Sequence, residues 1–246
     1  KMKNTLIIIP SRMAASRLPG KPLLKIDGKS IISHVVTQAK KSEIGQVVVA
    51  TEDIEIFNDV KSNGGDSIMT SKANKTGTDR IWEAYNKLNI KNVDFIINLQ
   101  GDEPLIDPND IANLDLAVKK NNSEIGTLAA NIDNKNILLN KNIVKVVTKE
   151  NLKEKNYSRA EIFFRKSQKN FNNIYQHIGI YEYEVQCLEK FNKLEQTKNE
   201  IENRLEQLRA LDNKINIDVI LAKNKVLGVD TMEDFIELKK IMEYKT

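Results

Sequence analysis

Thr5–Ile9 is an unbroken run of β-branched and aliphatic residues, the pattern of a strand buried on both faces. Ile31, Ile32, Val35, Val36 and Ala39 then recur at helical spacing across Ser30–Lys41. The alternation continues with a strand at Gln46–Ala50 and a helix at Ile54–Asn63 stopped by Gly64-Gly65. A short strand at Ser67–Thr70, a helix at Thr78–Lys87 and a strand at Asp94–Leu99 follow. The next helix, Asp107–Lys120, has Pro108 near its start, where proline is tolerated. Strands alternating with helices predict parallel βαβ units. The expected class is α/β, a mostly parallel, doubly wound sheet flanked by helices in a Rossmann-like three-layer arrangement.

The second half is less regular. Val144–Thr148, Ile178–Tyr183, Ile215–Leu221 and Lys225–Val229 read as strands. Val185–Lys193, Glu200–Asp212 and Met232–Tyr244 read as helices, and Ala160–Asn173 is polar and mixed without a clear period. No internal repeat, low-complexity tract or proline-rich linker divides the chain. The 246 residues therefore read as one domain, 1–246, a size that α/β folds reach as a single unit.

Composition narrows the functional classes. With 40% hydrophobic and 29% charged residues, the chain is neither disordered nor membrane-like. The first apolar run is too short for a signal-peptide core or a membrane span. The net charge of +4 comes from lysines scattered over polar helices. A nucleic-acid footprint would cluster them with aromatic residues between, so no nucleic-acid partner is expected; a modest basic bias suits a small anionic substrate. Cys187 is the single cysteine, so no intrachain disulfide forms, which fits a reducing cytoplasm. Its neighbours Val185, Leu188 and Phe191 make it a core residue.

Open α/β sheets bind ligands at the carboxyl ends of their strands, here the loops after Ile9, Ala50, Leu99 and Val229. The first, Pro10–Pro22, carries Arg12, Arg17 and Lys21 among small residues. Guanidinium forks, an ammonium and backbone N–H groups can neutralise a polyphosphate; alone, such a loop could equally be a solvated basic turn. It is not a P-loop, since Lys21 precedes Pro22 and the leading glycine is missing, nor is it G-x-G-x-x-G, which removes a dinucleotide-binding dehydrogenase. The second string is Asn98-Leu99-Gln100-Gly101-Asp102-Glu103-Pro104. An aspartate at a strand end offers hard oxygen to Mg²⁺, although it could serve only as a cap or turn residue. The third, Gly228-Val229-Asp230-Thr231-Met232-Glu233-Asp234, places Asp230 before a helix whose Thr231 and Asp234 also suit a capping box.

Together these strings resemble the signature of the 3-deoxy-manno-octulosonate (KDO) cytidylyltransferase family, within the nucleotide-diphospho-sugar transferase fold. Supporting strings run through the middle: Thr76-Gly77-Thr78-Asp79-Arg80, Asn142–Val147, Tyr157-Ser158-Arg159-Ala160, Gln176–Tyr181 and Leu205-Glu206-Gln207-Leu208-Arg209. The resemblance implies transfer of CMP from CTP to KDO, with release of pyrophosphate, for lipopolysaccharide synthesis. It implies that Arg12, Arg17 and Lys21 meet the triphosphate, and that Ser11, Thr76 and Gly77 lie by the nucleotide. Asp102 and Asp230 would hold Mg²⁺. Gln100, Arg159, His177, Tyr181, Glu206 and Gln207 would meet the sugar acid, with Arg159 on its carboxylate. Arg12, Lys21, Asp102 and Asp230 would be the catalytic set. A cytoplasmic homodimer is implied too, with a smaller insertion, roughly 155–212, serving substrate and dimer.

Some residues depart from the family pattern. Met232 stands where proline is usual, Asn74 where histidine is common, and Glu161-Ile162-Phe163-Phe164 where a proline-tryptophan turn is expected. Lys198, Asn199 and Asn203 replace the usual glutamates and proline before Glu206. These changes concentrate at the sugar end. They leave open 8-amino-KDO or a sialic-type nonulosonic acid as the acceptor. A regulator that binds nucleotide without turnover is the rival from another class, and the retained pair Asp102 and Asp230 argues against it.

Overall fold

The computed structural model describes residues 2–15, 17–166, 169–224 and 227–244. The chain divides into two compact units: Lys1–Ala112 with Val226–Thr246, and Asn113–Lys225.

In the first unit, β1 (Thr5–Ser11) is buried along nearly its whole length, as expected of a strand covered on both faces. The loop after it closes through a short 3₁₀ turn, Lys21–Leu23, and a two-stranded ribbon, β2 (Lys25–Ile26) with β3 (Lys29–Ser30). Ser30 then caps α1 (Ile31–Lys41) by accepting a hydrogen bond from the Ser33 N–H. β4 (Gly45–Thr51), α2 (Ile54–Ser62), β5 (Asp66–Met69), α3 (Gly77–Leu88) and β6 (Phe95–Asn98) follow in alternation, and α4 (Pro108–Asn121) begins in this unit and continues into the second. The strands lie in the order β5-β4-β1-β6, all parallel. The ends of β1, β4 and β6 therefore all point the same way, which gathers their loops.

The second unit contains β7 (Ile125–Ala130), α5 (Lys135–Leu139), β8 (Lys145–Thr148), α6 (Leu152–Lys155), β9 (Tyr157–Phe164) and β10 (Ile174–Glu184). Helices α7 (Val185–Asn192), α8 (Lys198–Asn203) and α9 (Gln207–Asp212) lead to β11 (Ile217–Leu221). Its strand order is β10-β7-β11-β9-β8, and β8 also pairs with the start of β10, so the sheet curls back on itself. Only β11 with β7 is parallel; the other pairings of this unit are antiparallel. The expected mostly parallel sheet thus describes the first unit, and the second is mixed. The chain then rejoins the first unit with α10 (Met232–Glu243), which opens on a Thr231/Asp234 capping box.

Several elements differ from the pattern-based expectation. β7 lies where the pattern predicts no strand, because Gly126, Ala129 and Ala130 have weak strand propensity. A side chain at Gly126 would press to 2.3 Å from Val118 Cγ2, so close helix packing selects glycine there. From Ala160 on, β9 occupies residues expected to lack a period; its two-sided environment at Tyr157–Phe164 mixes buried and exposed positions. The helix expected over Glu200–Asp212 is broken by Arg204, whose φ of 52° ends α8 before α9 begins. Of the strand expected at Lys225–Val229, residues 225 and 226 lie outside the described residues, and 227–229 form no strand.

Cys187 is buried and unoxidised, and burial pushes its thiol up to about 12, in keeping with a packing role. No helix among the described residues is long and apolar enough to cross a membrane.

Glu182 of β10 is fully buried, with Asp115 and Lys119 of α4 nearest in charge. Burial, then the negative charge of Asp115, raises its carboxyl well above the ordinary 4.5. The folded state therefore binds more protons than the unfolded one above about pH 4.5, and stability falls as pH rises through that window. Glu182→Gln is expected to flatten this dependence, giving a melting temperature above wild type at pH 8 and near it at pH 4. Parallel melting curves for the two proteins across that range would rule it out.

Candidate active site

The basic loop is anchored at both ends. Gly20, at φ 72°, sends its N–H back to the Met13 carbonyl at 3.0 Å, closing the loop on itself. Leu18 is buried in a cluster with Ile26, Ile31, Val229 and Leu238. Val229 belongs to the same cluster, so one patch of core fixes the residue after Arg17 and the residue before Asp230. The Val229 N–H also donates to the Asp102 carbonyl at 2.9 Å.

These constraints bring the predicted residues together. Lys21 Nζ lies 3.1 Å from Asp102 Oδ2 and 3.8 Å from Asp230 Oδ1. Arg17 approaches Asp230 Oδ2 at 3.8 Å. Arg12 is exposed and makes no ion pair among the described residues. Burial raises the Asp102 carboxyl; Lys21 pulls it down, and Asp230 adds repulsion. Burial outweighs the lysine, so the Asp102 charge is held at a cost to the fold.

Ser11 ends β1 with a buried hydroxyl that has no hydrogen-bond partner among the described residues. Buried hydroxyls are nearly always paired, so this one fits a group supplied by a ligand. Gly101 sits against it: a side chain there would come 3.5 Å from Ser11 Oγ and 3.3 Å from the Pro10 carbonyl. The close approach Gly101 permits is thus to the chain's own first strand. Gly77 packs on the same place, where a side chain would meet Pro10 Cγ at 3.3 Å. Thr76 caps α3 in a reciprocal box with Asp79. Gln100 leaves β6 partly buried, one residue after Leu99. Arg80, from the same string as Thr76, is buried in an ion pair with Glu52 at 2.7 Å and bonds Thr70. It serves as an internal clamp.

The second unit gathers another group. β10 carries a register irregularity between Ile178 and Tyr181. His177 pairs with Ala129 and Tyr181 with Thr127, so residues four apart in sequence oppose residues two apart. A regular strand would separate them by about 13 Å. Here the ring centroids are 5.4 Å apart. His177 Nε2 meets Thr127 Oγ1 at 2.9 Å, and burial lowers the imidazole to about 3. It is therefore neutral at physiological pH, a hydrogen-bond partner and not a cation. Tyr181 is raised well above 10.0 by burial and then by the neighbouring Tyr183 and Glu206. Glu206 thus joins the pair, with Gln207 beside it at the start of α9. Arg159 is half-exposed on β9 and faces Asp218 at 3.9 Å.

A model of the cytidylyltransferase family matches residues 6–217. The 3-deoxy-manno-octulosonate cytidylyltransferase of Thermodesulfovibrio yellowstonii is 43% identical, spanning 97% of this chain and 98% of its own length. The protein of the same name from Nitrobacter winogradskyi is 38% identical over 97% of this chain and 94% of its own. A solved CMP:2-keto-3-deoxy-manno-octonic acid synthetase complexed with CTP superposes with a TM-score of 0.89, at 32% identity over 99% of this chain and 100% of that one. The chain belongs to the 3-deoxy-manno-octulosonate cytidylyltransferase family.

The divalent cation that the resemblance implies would need ligands here. Among the described residues no group of three or more His, Cys, Asp or Glu side chains could hold a metal. Two carboxylates do converge, and their position around one Lys21 ammonium shows that they accommodate a cation. That fits Mg²⁺, which commonly takes one or two carboxylates and completes its shell with phosphate and water. Nothing in the sequence singles out Glu103 within the Q-G-D-E-P string. Burial and the Asp102 charge raise it to about 8. A perturbed carboxyl beside a strand end is visible only once the surrounding chain is folded.

Proposed function

We propose that this cytidylyltransferase moves CMP from CTP to KDO in a Mg²⁺-dependent reaction, giving CMP-KDO and pyrophosphate. The observation that carries it is the meeting of Asp102 and Asp230 at Lys21, next to the arginine-bearing loop. Arg12, Arg17 and Lys21 neutralise the triphosphate, and Lys21 exchanges its carboxylate partners for phosphate oxygen as CTP enters. Ser11, Thr76 and Gly77 line the nucleoside. Asp102 and Asp230 would hold Mg²⁺, which would supply Lewis-acid charge stabilisation at the phosphates. The anomeric hydroxyl of the sugar acid attacks the α-phosphorus and gives its proton to solvent; the bond to the bridging oxygen breaks, and pyrophosphate leaves with that bond's electron pair. No side chain forms a covalent intermediate; positioning and charge stabilisation supply the acceleration.

Arg159 binds the sugar-acid carboxylate, exchanging Asp218 for it as a planar fork. Neutral His177, Tyr181, Glu206 and Gln207 bind the hydroxyls. The full chain, 1–246, serves as one nucleotidyltransferase domain, in which residues of roughly 155–212 bind the sugar acid and form a homodimer contact. The enzyme works in the cytoplasm and supplies lipopolysaccharide synthesis. The relatives' names favour the octulosonate over 8-amino-KDO or a nonulosonic acid.

Pyrophosphate release from CTP and Mg²⁺ is expected with KDO, with sialic acid and 8-amino-KDO at least about tenfold poorer in kcat/KM. A preference for either rival would move the error to the second-unit residues. No release with any acceptor, at full CTP binding, would instead favour a nucleotide-binding regulator.

A further inference from the structure

Asp53 stands immediately before α2, where a short polar side chain usually caps the helix, yet its side chain makes no cap hydrogen bond. Its Oδ2 instead accepts a 2.7 Å hydrogen bond from the backbone N–H of Met13, 40 positions away in sequence. The turn presenting this carboxylate is itself fixed. The Asp53 N–H donates to Thr51 Oγ1 at 3.1 Å, and its carbonyl accepts from the Phe57 N–H. Met13 is thus held on both sides, since its carbonyl takes the Gly20 N–H. Arg12 precedes Met13, and Arg17 and Lys21 complete the loop. A carboxylate beside a loop meant for phosphate opposes the ligand's charge. Its presence there is explained by what it does to the backbone.

We infer that Asp53 is a positioning residue for the basic loop. It touches no substrate, and it fixes the backbone from which Arg12 and Arg17 reach the triphosphate. The inference rests on the CTP reading above. The neighbouring Glu52 does the equivalent for the other side of the pocket by holding Arg80, three residues beyond Gly77. The β4–α2 turn therefore braces both segments.

The test compares Asp53→Ala and Asp53→Asn with wild type. Asp53→Ala is expected to raise KM for CTP by about tenfold, as for loss of a hydrogen bond to a charged acceptor, with KM for the sugar acid changed less than about twofold. Asp53→Asn keeps an acceptor oxygen and should recover most of the loss. Trypsin should nick Asp53→Ala after Arg12 or Arg17 several-fold faster than wild type, without added substrate. That readout needs no turnover, so it decides the loop anchor even if CTP proves not to be the nucleotide. Wild-type KM for CTP together with wild-type nicking would overturn the inference. So would equal rises in both KM values with a lowered melting temperature, since that is loss of general stability.

Discussion

Asp102→Asn is expected to lower kcat by about a thousandfold, the scale seen when a group that stabilises developing charge is removed. The fold should survive. Burial raises the Asp102 carboxyl despite Lys21 at 3.1 Å, so the ionised form is less stable in the folded protein than in water. For an acid raised in this way, folding stability falls as pH climbs past the ordinary carboxyl value of 3.8. Asparagine has nearly the same shape and no charge to desolvate. The variant should therefore melt at or above the wild-type temperature at pH 7 while losing turnover, the signature of a residue kept for function at a cost in stability. Steady-state kinetics and thermal melts on the same preparation check both halves. A variant that kept wild-type turnover would sink the metal assignment. One that lost activity only in proportion to a lowered melting temperature would make Asp102 structural.

The second large effect lies in the second unit. Arg209 binds Glu200 through two parallel contacts, Nε to Oε2 at 2.8 Å and Nη2 to Oε1 at 2.6 Å, and its guanidinium lies 4.9 Å over the Phe191 ring. Both side chains are almost fully buried. Burial pushes the Glu200 carboxyl up, but the Arg209 fork outweighs it and holds the group below 4.5. Arg209→Ala strands a buried carboxylate and should destabilise the protein by about 3–5 kcal/mol. Lysine should rescue little, because one ammonium does not match a two-pronged fork. The pair's contribution is present above about pH 4.5 and is lost as Glu200 protonates below it, so wild type and variant should converge in acid. Urea titrations at pH 7 and pH 3.5 measure this directly. A difference below about 1 kcal/mol at pH 7 would place the pair among ordinary surface contacts. The consequence reaches the candidate site residues, because this pair ties α8 to α9 across the break at Arg204, and α9 begins at Gln207 with Glu206 immediately before it.

How much of this is legible in the chain depends on how local each determinant is. The strands and helices of the first unit follow from short-range periodicity: β1, α1, β4 and α3 lie within a residue or two of their expected bounds. Parallel strands covered on both faces write short continuous apolar runs, and their β-branched residues and flanking turn residues favour a strand over a buried helix segment. The first two site strings are equally visible, because strand ends in a parallel sheet are where polar side chains collect, whereas the third is marked by residue type alone, since residues 227–229 before Asp230 form no strand. The capping box at Thr231 does not compete with the site at Asp230. Thr231 and Asp234 make the cap, and Asp230 remains turned toward Arg17 and Lys21.

Other features exist only in the folded chain. β7 is hidden because Gly126 is selected by the helix packed on it and its alanines have weak strand propensity. The break at Arg204 lies in a backbone conformation that its residue type does not announce. The adjacency of His177 and Tyr181 depends on a strand irregularity, and the neutrality of His177 on burial. Asp53 illustrates the same limit: by position it is a helix cap, and only the path of the loop makes it a partner of Met13. Residue type and short spacing suffice for the family, the strand-and-helix order of the first unit and the identity of the charged residues at its strand ends, because each of these is written within a few consecutive positions. Which charges meet, which are neutralised by burial and which backbone groups a distant carboxylate holds are decided by folding, because they depend on distances and solvent exclusion between segments far apart in the chain.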